Sequence, residues 1–214
     1  MSARLDHLMV AHRDLHEVIE ILKAGTGVTA AIGGAHVGLG TWNALASFGD
    51  GTYLELIAPD PEQTERPFGD QFLDLAEPTV VMFIARVTDK DTQADALRAA
   101  GFEPAVVPLS RKTPAGDLLE WHMVQTTGHG IDPLMPSFID WGAMPHPADT
   151  QPGGLTLERF TVFTDRPEAV SAVYAAAGLG GIDVRPADEP TYEAVIRGPG
   201  GSMALPGRPL SPRL

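Results

Sequence analysis

His7 is the third residue of LDHLMV (residues 5–10), and alternation sets Leu8 and Val10 on one face of that run and His7, Met9 and Ala11 on the other. Glu55 stands in YLELI (53–57), where Leu54 and Leu56 alternate with Tyr53, Glu55 and Ile57. A carboxylate inside such an apolar run is costly to bury unless it is paired or bound to a cation. Imidazole nitrogen and carboxylate oxygen together suit a divalent ion such as Zn, Mn, Fe(II), Ni or Mg. The same two groups also make a buried hydrogen-bonded pair that needs no metal. Four further polar residues join them as candidates. Asn43 shares a strand face with Leu45 and Ser47, and either holds a ligand or finishes a strand-end hydrogen bond. His36, in the glycine-rich GGAHVGLGT, is an acid–base candidate or a solvated loop residue. Arg111, in SRKTP, is set to neutralise an anionic substrate together with Arg86, which falls on the Met82 face.

These residues must be positioned by recurring elements. Asp14 follows the first strand, with Glu17 three residues on, the signature of a capped helix start, and Gly25 closes the segment. Asp89 to Gly101 and Asp165 to Gly178 repeat the pattern, with Pro167 and Glu168 early in the last copy. The three aspartates are 75 and 76 residues apart (89 − 14 and 165 − 89), which implies three copies of one supersecondary unit. The spacing predicts helices near 14–24, 89–100 and 166–177. Each copy continues into strands folded at glycine turns: 49–51, 114–116 and 199–201. The unit reads βαβββ.

Composition bounds the partners. A net charge of −13 argues against a basic nucleic-acid or membrane-binding face, and the absence of cysteine excludes disulfides and thiolate chemistry. MSARLDHL lacks the layout of a secretory signal and no apolar run reaches the length of a membrane span, so the expected location is cytoplasmic.

The repeated unit, with LDHLMV, GGAHVGLGTWNAL leading into YLELIAP, and SRKTPAGDLLEW before MPSFIDW, resembles the vicinal oxygen chelate superfamily and its glyoxalase-like branch over roughly residues 4–165. That superfamily contains glyoxalase I, extradiol dioxygenases and bleomycin-resistance proteins. The resemblance implies an α+β fold in which βαβββ modules form a half-open cupped β-sheet barrel with helices outside. On this reading residues 1–130 hold the paired modules, at 4–60 and 78–127. Residues 131–214 hold a connector, with a short strand near 138–141, and a third βαβββ-like module packed with the rest.

Family members hold one divalent metal ion in the cup, with side chains from the first and last strands of each unit. The resemblance therefore makes His7 and Glu55 the first unit's ligands. Seven residues before Asp89, as His7 is before Asp14, stands Met82, a poor ligand for such ions. Counted from the turn glycines Gly116 and Gly51, Glu120 aligns with Glu55, and His122 shares its face. His122 is then the compensating ligand and Glu120 a ligand or proton carrier, with Trp121 turned to the helix side. In the third unit Glu158 and Leu205 take the equivalent places, and Glu158 reads as an ion-pair partner of Arg159 or Arg197. The function implied is binding of a small organic molecule, with metal-dependent lyase, isomerase or dioxygenase chemistry using Glu120 and His36. The alternative is a metal-free, drug-sequestering protein of the bleomycin-resistance kind, whose pocket is formed by Tyr53, Ile57, Met82 and Ile84. The partner in either case is a small molecule, with no nucleic acid and no membrane, and a homodimer is compatible with the family.

Overall fold

The structure is a computed structural model that describes residues 3–36, 38–127 and 130–210. Asp14 caps the first helix, α1 (Leu15–Thr26), by accepting from the Glu17 amide at 2.9 Å, and Gly27 closes it at φ 77°, a left-handed conformation open to glycine. Leu15, Val18, Ile19 and Leu22 are buried at the spacing of one helical stripe. Asp89 caps α2 (Lys90–Ala99) in the same way. The third long helix, α4 (Pro167–Ala176), differs. Its cap position is Arg166, Asp165 lies one residue outside, and the Thr164 hydroxyl accepts the Arg166 amide instead. The one-turn helix α3 (Pro147–Thr150) lies between the second and third units, with the His146 ring accepting the Ala148 amide.

Strand β1 (Arg4–Ala11) leads into α1 and is followed by β2 (Ala31–His36), β3 (Thr41–Ser47) and β4 (Tyr53–Pro59). The second unit runs β5 (Thr79–Arg86), α2, β6 (Glu103–Lys112), β7 (Leu118–Thr127) and β8 (Ser137–Asp140). The eight strands close in the order β1-β4-β3-β2-β6-β7-β8-β5. Each first strand pairs in parallel with its own unit's fourth strand, and β1 meets β5 antiparallel. Among the described residues the β2–β6 seam that joins the two units has two residue pairs, Ala35–Lys112 and His36–Arg111.

The second unit ends at Asp140, beyond the boundary near 130 read from the sequence, because its fourth strand is the short SFID segment at 137–140. The third unit, β9 (Thr156–Thr164), α4, β10 (Asp183–Pro186), β11 (Thr191–Gly198) and β12 (Gly201–Pro206), keeps the element order but not the strand order. Its separate sheet runs β10-β9-β11-β12. Its Glu158 pairs with Arg197 at 2.5 Å.

Two cores result. Leu8, Val10, Leu54 and Leu56 belong to the outer one, packed with the helices and the third sheet; Ala11, Tyr53, Ile57, Met82 and Ile84 belong to the inner one, inside the barrel. The alternation in LDHLMV and YLELI thus sorts side chains between the two sides of one sheet.

Candidate functional site

The barrel interior holds a cavity of about 710 Å³, part of it open at the mouth. One wall is polar and comes mainly from the first unit: His7 on β1, His36 on β2, Asn43 on β3, and Tyr53 and Glu55 on β4, joined by Arg111 from β6. The facing wall is apolar and comes mainly from the second unit: Met82, Ile84, Trp121, Met123, Ile139 and Trp141.

The polar wall is wired through Glu55. One carboxylate oxygen, Oε2, lies 3.3 Å from His7 Nε2, and the other, Oε1, accepts from Asn43 Nδ2 at 2.6 Å. Asn43 in turn accepts from Arg111 Nη1 through Oδ1 at 3.2 Å, which fixes its amide with the oxygen towards the guanidinium. Behind the wall, Asp6 contacts His7 Nδ1 at 2.7 Å and His146 Nε2 at 2.9 Å, and Arg86 Nε lies 3.6 Å away. Asp6 can reach this position because β1 shifts register against β5 between Leu5 and His7, leaving Asp6 in a bulge. Tyr53 stacks on the His7 ring, with centroids 4.4 Å apart.

The electrostatics follow from this wiring. Burial opposes a charge on His7, but the hydrogen bonds to Asp6 and Glu55 outweigh it and raise its pKa to about 9. His7 is an imidazolium held between two carboxylates. Burial likewise opposes the Glu55 charge, yet the His7 hydrogen bond and charge, with Asn43 and His36, hold its pKa at about 2. Asp6 is kept well below the ordinary carboxylate range by its bonds from His146 and His7, against burial. His36 moves the other way: burial, with the charges of Arg111 and His7, lowers its pKa despite Glu55. Its Nδ1 lies 2.9 Å from Thr41 Oγ1, and Asn43 Nδ2 faces its Nε2 at 3.4 Å.

Seven of the ten site residues read from the sequence line this cavity: His7, His36, Asn43, Tyr53, Glu55, Met82 and Arg111. Arg86 does not; it backs Asp6 and donates to the Gly51 carbonyl at 3.0 Å. Glu120 and His122 are also outside. In β7 the inward residues are Trp121 and Met123, Glu120 is exposed, and His122 is opposite Asp140 of β8. The reason is one of equivalence. The hairpin β6–β7 corresponds to β2–β3, whereas the counterpart of Glu55's strand β4 is β8. Met9 is opposite Glu55 and Ile84 is opposite Ser137, so the position equivalent to Glu55 is Ser137. Asp6 and His146 were not among the sequence candidates. An Asp beside a His in an apolar strand is a signal for the first; nothing local marks the second.

A metal held as in the superfamily does not fit this donor set. The four positions on the first and last strands of the two units are His7, Glu55, Met82 and Ser137, which supply only one nitrogen and one carboxylate. Asp6 lies 2.7 Å from His7 Nδ1 and Glu55 lies 3.3 Å from its Nε2, and both favour the protonated ring, the form that offers no lone pair to an ion. Among the described residues, no three His, Asp or Glu side chains are grouped to hold a metal.

Comparison with known proteins adds the family. The chain resembles the solved structure of a hypothetical protein from Staphylococcus aureus at 15% identity and a TM-score of 0.66, over 97% of this chain and 86% of that one. It resembles methylmalonyl-CoA epimerase from Mycobacterium tuberculosis at 22% identity and a TM-score of 0.50, over 65% of this chain and 88% of that one. Both likenesses show the fold. No curated protein matches the sequence. Among the described residues, no helix is long and apolar enough to cross a membrane. The glyoxalase-like domain family matches residues 5–178, which span the whole barrel and run on through β9 and α4, and the chain therefore belongs to that family of the vicinal oxygen chelate superfamily.

Proposed function

We propose that this chain binds a small organic molecule inside its barrel without a metal ion. One observation carries the reading: Met82 and Ser137 stand where the second unit would supply metal ligands, while His7 is committed to Asp6 and Glu55. The apolar and aromatic lining beside a few convergent polar groups is the composition of a small-molecule pocket. Tyr53, Met82 and the two tryptophans contact the ligand body, and Asn43 and Arg111 orient its polar end. His36, neutral at pH 7, is the wall's uncharged hydrogen-bonding group. Arg86 acts at one remove by holding Asp6. The charged cluster gives this wall a fixed shape, since each carboxylate has its partners already in place.

Elemental analysis tests the metal part. Wild type and His7→Ala, each exposed briefly to chelator and dialysed against Zn, Mn or Ni, should both retain negligible metal. Near-stoichiometric metal in wild type that is lost in the variant would overturn the proposal in favour of a metal-dependent lyase, isomerase or dioxygenase. Thermal stabilisation by members of a small-molecule panel, rising with concentration, is the positive expectation.

A further inference from the structure

Arg111 is only 4% exposed, yet it makes one hydrogen bond among the described residues, to Asn43 Oδ1. A guanidinium carries five N–H donors, and a buried cation ordinarily meets a carboxylate. Asp6 and Glu55 are both engaged elsewhere, and no carboxylate of the described residues forms an ion pair with Arg111. The chain makes room for it: a Cβ on Gly33 would overlap the guanidinium and the Asn43 oxygen.

Its location is equally specific. Arg111 sits at the β2–β6 seam opposite His36 and lines both the barrel cavity and an outer cleft of about 620 Å³ formed with Ile32, Gly33, Pro114, Pro145 and Gln151. Two more donors on the cavity's far side, Ser137 Oγ and Trp141 Nε1, are buried without a hydrogen-bond partner among the described residues. Buried donors are rarely left so unless something else meets them.

Charge narrows the chemistry further. Arg111 lines the cavity as a buried cation to which no carboxylate of the described residues is paired, in a chain whose formal net charge is −13. Behind the wall Asp6 is matched by Arg86, and Asp60 is occupied by the Glu62 amide and the Gln63 side chain. A buried guanidinium without a carboxylate partner fits an anion, and the planar fork of arginine fits a carboxylate in particular.

We infer that the barrel's ligand is an organic acid whose carboxylate sits on Arg111 at the junction of cavity and cleft. Its apolar, ring-bearing body fills the cavity, and a second oxygen acceptor meets Trp141 and Ser137. This rests on the metal-independent binding reading above and adds the class of ligand.

Phenylacetate, its primary amide and 4-hydroxyphenylacetate separate the possibilities by calorimetry and thermal shift. Wild type should bind phenylacetate at least roughly tenfold more tightly than the amide, the scale of one charge-assisted hydrogen-bond pair. The hydroxylated acid should bind more tightly still. Arg111→Met should abolish the preference for acid over amide, and Arg111→Lys should keep the preference at reduced affinity. The wild-type comparison stands even where a variant fails to fold. Equal binding of acid and amide overturns the anion inference and leaves cavity binding intact. Equal binding of the two acids overturns the second acceptor. No binding of any of the three overturns the cavity-binding reading itself.

Discussion

His7 is the residue on which the wall turns, and its state is set by its neighbours rather than by its own chemistry. Asp6 lies 2.7 Å from its Nδ1 and Glu55 lies 3.3 Å from its Nε2, and both carboxylates favour the protonated ring. Asp6 is the more committed of the two carboxylates: it is fully buried and also faces His146 and Arg86. Removing its charge leaves a buried imidazolium with half its support. Asp6→Asn should therefore cost about 3 kcal/mol of unfolding free energy, the scale for breaking a buried ion pair. The His7 ring should also titrate at lower pH in the variant. Urea unfolding with an unchanged slope reads the first and NMR titration the second. A loss below about 1 kcal/mol would show that Asp6 is not what holds His7 charged.

At the scale of elements, what the sequence shows depends on whether a signal is local. Helix starts at Asp14 and Asp89 are local chemistry, a side chain meeting amides within three residues, and both are legible. So is the alternation that sets His7 and Glu55 inside and Leu8, Val10, Leu54 and Leu56 outside. The pairing of units is not local. Counting from glycine turns matches hairpin β3–β4 to β6–β7 because both turns have the same length, but the fold matches β3–β4 to β7–β8, across the longer connection at 128–136. Counted from the turns, Glu120 and His122 face inward, whereas in the fold Trp121 and Met123 do. The hairpin itself held the warning, since Arg111 is opposite Leu119 and Ser110 opposite Glu120, so Arg111 and Glu120 cannot face inward together. The face assignment is open to direct test. Trp121→Ala should weaken ligand binding severalfold, and ligand should quench the tryptophan fluorescence of wild type, whose Trp121 and Trp141 rings lie 5.3 Å apart in the cavity. Glu120→Ala should bind ligand as wild type does and change stability by no more than about 0.5 kcal/mol, as surface substitutions do. Impaired binding in Glu120→Ala with normal binding in Trp121→Ala would reverse the register.

At the scale of the molecule, the third sheet and the barrel share the outer core. Phe83, on the outside of β5, packs against Phe160, Tyr174 and Tyr192 of the third unit, and the Tyr174 hydroxyl donates to the Leu134 carbonyl at 2.6 Å. A barrel packed this way transmits the state of its interior charges to global stability, which gives the charged wall a signature in pH. His7 has its pKa raised from 6.5 to about 9, so the folded state holds a proton that the unfolded state has lost between those values. Its contribution is fully present below pH 6.5 and disappears as pH rises through 9. Glu55, lowered from 4.5 to about 2, contributes above pH 4.5 and loses that contribution as pH falls through 2. His36, with its pKa lowered, works against His7, since its neutral form is the one the fold favours and its contribution grows as pH rises towards 6.5. Comparing wild type with His7→Gln cancels most of the His36 effect. The difference in unfolding free energy between the two proteins should be largest between pH 4.5 and 6.5, on the order of 3 kcal/mol. It should shrink steadily from pH 6.5 to beyond 9. Chemical denaturation at half-unit pH intervals measures it. A difference that stayed constant across that window would mean that His7 is neutral in the folded protein. It would then have a nitrogen lone pair free, and the argument against a metal would lose its main support.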